Sequence, residues 1–121
     1  MYKWIGILIT FLLFSSCREE KLIANTCNVV DPVTDINWLS DLIQELEQNN
    51  SDISQYFYLI QADLDGSTVF VLNNCCPFCN TTITIQDCSG QMIGTIGKDF
   101  DIGELQHIEI LWEPLDFACS I

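Results

Sequence analysis

Residues 31–121 are predicted to form a single α+β domain: one N-terminal helix packed on a four- to five-stranded antiparallel sheet, stapled by disulfides. Three observations predict this. Apolar residues recur every three or four positions only between about 36 and 48. From residue 56 onward the pattern alternates with period two between turn-forming clusters. Cysteines are dense throughout the second half of a short chain. Helical and strand periodicities of this kind place apolar side chains on one face of each element.

Asp31-Pro32 reads as a turn-like break. Asp35 or a neighbour can cap the helix that follows, because the first backbone N–H groups of a helix have no intrahelical partner. Leu39, Leu42, Ile43 and Leu46 share one face, and Asp41, Gln44, Glu45 and Gln48 take the other. Asn49 to Asp52 is a run of poor helix formers, so the helix is predicted over about 36–48. Tyr56 to Ala62 is rich in aromatic and branched residues and reads as a strand. Leu64-Asp65-Gly66-Ser67 is the turn, since an Asp-Gly pair suits the positive φ angles of a tight hairpin. Thr68 to Leu72 returns. Asn73 to Asn80 is a loop carrying three of the cysteines. Thr81 to Gln86, Gln91 to Ile96 and Gln106 to Trp112 complete the sheet, with Asp87-Cys88-Ser89-Gly90 as a turn and Gly97 to Gly103 as a polar connection. The helix is expected to cover the one apolar face of the sheet.

The N-terminus carries a different signal. Lys3 precedes an uncharged, almost wholly apolar run from Trp4 to Phe14, which stops at Ser15-Ser16. A short basic region before ~7–15 apolar residues is the layout of a secretory signal, and the run is shorter than the ~20 residues that cross a bilayer. Leu13-Phe14-Ser15-Ser16-Cys17 resembles a lipobox, which implies cleavage after residue 16 and a diacylglycerol on the Cys17 thiol. Residues 1–16 are therefore expected to be a lipoprotein signal peptide and 17–30 a lipidated tether. The membrane partner is reached through the lipid on Cys17, so the chain is anchored to a bilayer rather than spanning it. Arg18-Glu19-Glu20-Lys21 looks like the acid-rich stretch that directs such chains to the outer face of the outer membrane, or is a plain solvated tether.

The whole chain carries a formal net charge of −13, with 17 acidic residues against four basic ones. Once Lys3 is removed only Arg18, Lys21 and Lys98 remain. Such a surface repels phosphate backbones, so nucleic acid is excluded as a partner. Solubility at a crowded cell surface accounts for the acidity, and a cation or a basic partner is the sharper alternative.

With Cys17 lipidated, Cys27, Cys75, Cys76, Cys79, Cys88 and Cys119 remain. An even count in a small exported domain reads as a disulfide framework. Cys75 and Cys76 are adjacent, so each is expected to pair elsewhere. The expected arrangement ties the Cys75–Cys79 loop to Cys88 and clasps Cys27 to Cys119.

Cys76-Pro77-Phe78-Cys79 has the spacing of thiol–disulfide enzymes. Those enzymes set the first sulfur at a helix N-terminus, whereas here a strand pattern follows, so a structural bridge is expected. Zinc at Cys75, Cys76, Cys79 and Cys88, with His107, would need two close cysteine pairs, and the sequence has a crowded triplet and a lone cysteine. Asp63-x-Asp65-Gly66 resembles the opening of a calcium loop but runs straight into a strand. Asp99, Asp101 and Glu104 read as a solvated loop. His107 is the one histidine, expected on the solvent face of a strand. Ser89 has no nucleophile-elbow pattern around it, so no triad is expected. Trp38 and Trp112 are expected at the core or its edge. No cofactor, metal or catalytic set is expected.

Asp31-Pro32, Asn37-Trp38-Leu39 with Leu42-Ile43, the aromatic hairpin, Asp87-Cys88-Ser89-Gly90 and the closing strand together resemble an uncharacterised family of small lipoproteins from Bacteroides-type bacteria. The resemblance covers most of residues 31–114. Members have a Leu-Pro-Trp-Leu helix start, where this chain has Ile36-Asn37, and an Asp-Cys-x-Gly turn. The resemblance implies the fold and the location and carries no activity. The function expected is a surface-displayed, non-catalytic binding module for a protein or small-molecule ligand. An inhibitor-like version would present Pro77 and Phe78 at the tip of a rigid loop. The alternatives are a thiol–disulfide oxidoreductase using Cys76 and Cys79, and a purely structural envelope component.

Overall fold

The computed structural model describes residues 25–49 and 51–120. The signal-like run and Cys17 lie outside the described residues. The chain forms α1 (Pro32–Asp35), α2 (Asn37–Gln48), a 3-10 turn at Ser54–Tyr56, β1 (Phe57–Leu64), β2 (Ser67–Asn74), β3 (Thr84–Gln86), β4 (Met92–Thr95), a second 3-10 turn at Ile102–Glu104 and β5 (Gln106–Trp112). The five strands make one antiparallel sheet in the order β4-β3-β2-β1-β5. The α+β class and the helix-on-sheet plan are as the sequence predicts.

Two elements differ locally. Asp31-Pro32 starts a helical turn instead of breaking the chain. Proline's fixed φ suits the first helical position, and Asp31 Oδ1 accepts from the Val33 amide at 3.2 Å. Asp35 does not cap α2; its carboxylate turns back to the Asp31 amide at 3.0 Å, and Ile36 occupies the N-cap with no side-chain bond. The third strand is shorter than predicted, because β2 pairs with β3 only at Phe70↔Gln86 and Val71↔Ile85. Beyond that point the chain is drawn into the cysteine loop, and Thr81 uses its hydroxyl to accept from Asn74 Nδ2 at 2.8 Å.

The central strands of the sheet are buried on both faces, not one. Leu59 and Phe70 pack under Ile36, Leu39 and Ile43 of the helical layer. Ile60, Ala62, Leu64, Val69, Val71 and Ile85 form a second cluster with Leu105, bordered by Ile83, Ile96 and Phe100. Successive strand residues point to opposite faces, so β1 and β2 read as near-continuous apolar runs because both sides are covered. The connection after β4, predicted as a polar loop, supplies part of that second cover. Gly94 permits it: a Cβ there would stand 2.5 Å from Phe100 Cε2.

The turn at Asp87–Gly90 joins helix to sheet. Trp38 Nε1 donates to the Cys88 carbonyl at 2.8 Å, and its ring meets Phe70 edge to face at 5.6 Å. A Cβ at Gly90, where φ is +85°, would lie 2.9 Å from the Trp38 ring. Asp87 Oδ1 accepts from the Ser89 hydroxyl at 2.6 Å and from the Ser89 and Gln91 amides. The Ser89 hydroxyl bond, followed by the backbone bonds, holds the Asp87 carboxyl below the usual carboxylate range. A depressed native pKa gives stability that is present above the unfolded-state pKa and lost as pH falls through the native one. Wild-type protein is therefore expected to lose stability on acidification through that window more steeply than Asp87→Asn, as read by urea unfolding at a series of pH values. Parallel pH curves for the two proteins would remove Asp87 as a source of acid sensitivity.

The three bridges are Cys27–Cys88, Cys75–Cys119 and Cys76–Cys79. Both expected long-range pairings are therefore wrong, and the reason is topological. Thr26 lies beside Thr68, its amide donating to Thr68 Oγ1 at 2.8 Å and its hydroxyl accepting from the Thr68 amide. That places Cys27 at the hairpin end of the sheet. The chain leaves β5 at Trp112, opposite Leu59, so Cys119 arrives at the other end, where β2 runs out into Cys75. Six strand residues at ~3.3 Å each separate Thr68 from Asn74 by roughly 20 Å. A disulfide joins Cα atoms at most ~7 Å apart, so a Cys27–Cys119 clasp cannot form.

Candidate functional site

The residues singled out from sequence gather at one end of the sheet or prove to be structural. Cys76 and Cys79 close a ring of sequence separation 3. Pro77 and Phe78 are exposed at its tip, with Phe78 71 % accessible. The ring is seated rather than loose: Phe78 meets Tyr56 edge to face at 5.9 Å, and the Cys75 amide donates to the Tyr56 carbonyl at 3.1 Å. The C-terminal segment braces the same corner. The Ala118 amide donates to the Gln55 carbonyl at 3.0 Å, and Phe117 packs edge to face on Tyr58 at 5.5 Å. Burial there pushes the Tyr58 phenol up.

Beside this corner lies a feature not expected from the sequence. A groove of about 540 Å³ runs between the C-terminal end of α2 and the chain leaving β5. Trp112 and Leu46 form its apolar walls, and Glu47, Glu113 and Asp116 rim it. An adjoining pocket of about 210 Å³ shares Leu46, Asn49, Ser54 and Trp112 and reaches Ile53, Phe57 and Leu72. Trp112 Nε1 donates to Glu47 Oε1 at 3.3 Å. Trp112 was expected at the core edge, and it is half-buried against the helical cluster. Its second role has a weak sequence signal: a strand-terminal tryptophan entering Glu113-Pro114-Leu115-Asp116, an apolar residue set among acids.

The remaining candidates are not drawn into this end. Asp65 and Gly66, with φ of 51° and 80°, make the hairpin turn. Asp99 Oδ2 accepts from the Thr95 amide at 3.0 Å, and Asp101 with Glu104 forms a capping box. Carboxylates used in this way complete backbone hydrogen bonding in a loop. His107 is exposed on β5, as expected, but it has a partner: its Nδ1 lies 3.0 Å from Asp63 Oδ2. It also holds a φ of +51° where the pairing of β5 with β1 is irregular. Ser89 sits in the β3–β4 turn, across the sheet from β5, so serine and histidine are not brought together. Cys88 is bonded to Cys27, and the four cysteines weighed for zinc are divided among three separate bridges. Among the described residues, no group of three or more His, Cys, Asp or Glu is arranged to hold a metal ion. Among the same residues, no helix is long and apolar enough to cross a membrane.

Fold and site together define a class, a small α+β domain held by three disulfides with an apolar, acid-rimmed groove and an exposed aromatic ring at one end. No family model, curated protein or solved structure matches the chain.

Proposed function

We propose that the chain is a lipoprotein anchored in the outer membrane through Cys17, and that its domain is a non-catalytic binding module. The observation that carries this reading is the polarity of the domain. Thr26, next to the first described residue, is bonded to Thr68 at the hairpin end. Phe78 and the Trp112 groove lie at the opposite end, roughly 20 Å away along β2. If Cys17 carries the lipid, the chain joins the bilayer from the hairpin end, and Phe78 and the groove are at the end remote from that attachment. Disulfides suit this use, because a ring fixed before binding loses less conformational freedom on contact. The thiol–disulfide alternative lacks its usual support, since the residues after Cys79 form no helix to stabilise a Cys76 thiolate.

Two measurements test this. Cys17→Ser is expected to abolish palmitate labelling and to move the protein from the membrane to the soluble fraction. A photo-crosslinking phenylalanine analogue at Phe78 is expected to give discrete adducts on intact cells, and the same analogue at Ser67 is expected to give none. Membrane retention of Cys17→Ser would refute the anchor. Equal adducts at both positions, or insulin-reducing activity that disappears with Cys76→Ser, would refute the binding reading.

A further inference from the structure

We propose that the Trp112 groove is a docking site for an extended peptide segment carrying an arginine or lysine between apolar residues. This deepens the binding-module reading and rests on it.

Negative charge at the groove begins with α2. Its last turn holds Glu45 and Glu47 and no basic residue. The C-terminal carbonyls of a helix already concentrate partial negative charge, which cations relieve and carboxylates aggravate. Glu113 and Asp116 approach the same groove from the β5 side. Lys98 is the sole lysine or arginine among the described residues, and it follows β4 at the far edge of the sheet. The chain therefore gathers negative potential around an apolar groove and supplies no cation to it from the described residues. A cationic side chain with an apolar stem answers both properties. Its head meets Glu47, Glu113 and Asp116, its stem lies along Leu46, and the Trp112 ring offers a face for a cation–π contact.

The edge of the sheet argues for a peptide over a small amine. β5 is the outermost strand, and a neighbouring pocket of about 310 Å³ shares Trp112 and Glu113 with the groove and continues over Ile110 and Leu111. Ile108 and Ile110 are exposed along that strand. Edge strands present main-chain donors and acceptors to an added strand. An extended segment can thus pair along β5 while placing its basic side chain in the groove. A second copy of this chain is a poor occupant, since it would bring the same excess of negative charge to the contact.

The test is calorimetric titration of the full chain, isolated in detergent with its bridges intact, against the acetylated amide Leu-Arg-Leu-Ile. The controls are the same peptide with neutral citrulline for arginine, and arginine amide alone. The Arg peptide is expected to bind at least about tenfold more tightly than the citrulline peptide, the scale of a charge-assisted contact. Glu47→Gln/Glu113→Gln is expected to lose a similar factor while keeping an unchanged melting curve. Affinity is also expected to fall as salt shortens the screening length from ~10 Å at 0.1 M to ~3 Å at 1 M. Equal affinity for arginine and citrulline peptides, or no binding of either, would overturn the proposal. So would tight binding of arginine amide alone, which assigns the groove to a small amine. Tighter peptide binding by Arg18→Gln/Lys21→Gln would overturn it too, by assigning the groove to the chain's own tether. If the double Gln variant binds the Arg peptide unchanged, the groove is not the site. The membrane anchor and the Phe78 adducts are read separately, so the binding-module reading survives any of these failures.

Discussion

Replacing Cys27 and Cys88 together with serine is expected to lower the unfolding free energy by about 4 kcal/mol, whereas Cys76→Ser/Cys79→Ser should cost about 2 kcal/mol or less. The difference follows from loop length. Cross-linking limits the unfolded chain roughly as the logarithm of the number of residues enclosed. The first bridge spans a sequence separation of 61 and the ring only 3. The long bridge also fastens the entering segment to the turn whose Cys88 carbonyl accepts the Trp38 indole. A domain near this size is stabilised by only ~5–15 kcal/mol in total, so the first variant should approach the threshold of folding. Urea unfolding of the two double variants under one buffer checks the order. If both lose the same amount, the chain-entropy account of the long bridge is wrong for this domain. The ring variant has a separate diagnostic use: a nearly unchanged midpoint combined with lost Phe78 adducts would assign the ring to presentation rather than stability.

The elements carrying regular periodicity were legible in the sequence, and the contacts between them were not. β1, the Asp65-Gly66 turn, β2 and β5 stand within a few residues of their predicted places, because alternation and turn chemistry are local properties. α2 begins one residue later than expected, since the turn before it is capped by Asp31 rather than Asp35. The second apolar face was missed for a physical reason. A strand buried on both sides and one buried on a single side both contain Ile, Val and Leu, and what lies over the second face is decided by Phe100 and Leu105, distant in sequence. The disulfide pairing failed likewise. Which end of the sheet Cys27 and Cys119 reach depends on strand order, and strand order leaves no mark near either cysteine. The groove depends on α2 and β5, separated by most of the domain, meeting at Trp112. By contrast, the exposure of Pro77 and Phe78 agrees with the expected loop tip, because a loop between two strand patterns is a local feature of the sequence.

Phe70→Ala is expected to be the most damaging single core substitution, at about 3–5 kcal/mol, the usual range for deleting a buried phenylalanine ring. Phe70 is fully buried in the central strand, paired with Gln61 on one side and Gln86 on the other. Neighbouring strands on both sides limit how far the backbone can collapse into the space left. Above it, the ring packs with Leu39, Ile43 and Leu59 and takes the edge of Trp38. Losing it therefore leaves a cavity and removes an aromatic pair worth a further ~0.5–1.5 kcal/mol. At ~4–8 °C per kcal/mol for a domain of this size, the melting temperature should fall by roughly 15–30 °C. Phe70→Leu keeps much of the volume and should cost well under half as much. Trp112 belongs to the same helical cluster, so the alanine variant should also loosen the groove and weaken peptide docking at temperatures where it remains folded. The leucine variant should leave docking intact. A Phe70→Ala protein that melts within a few degrees of wild type would mean that the helix does not rest on the sheet through this ring. The coupling of groove to core would then fail with it.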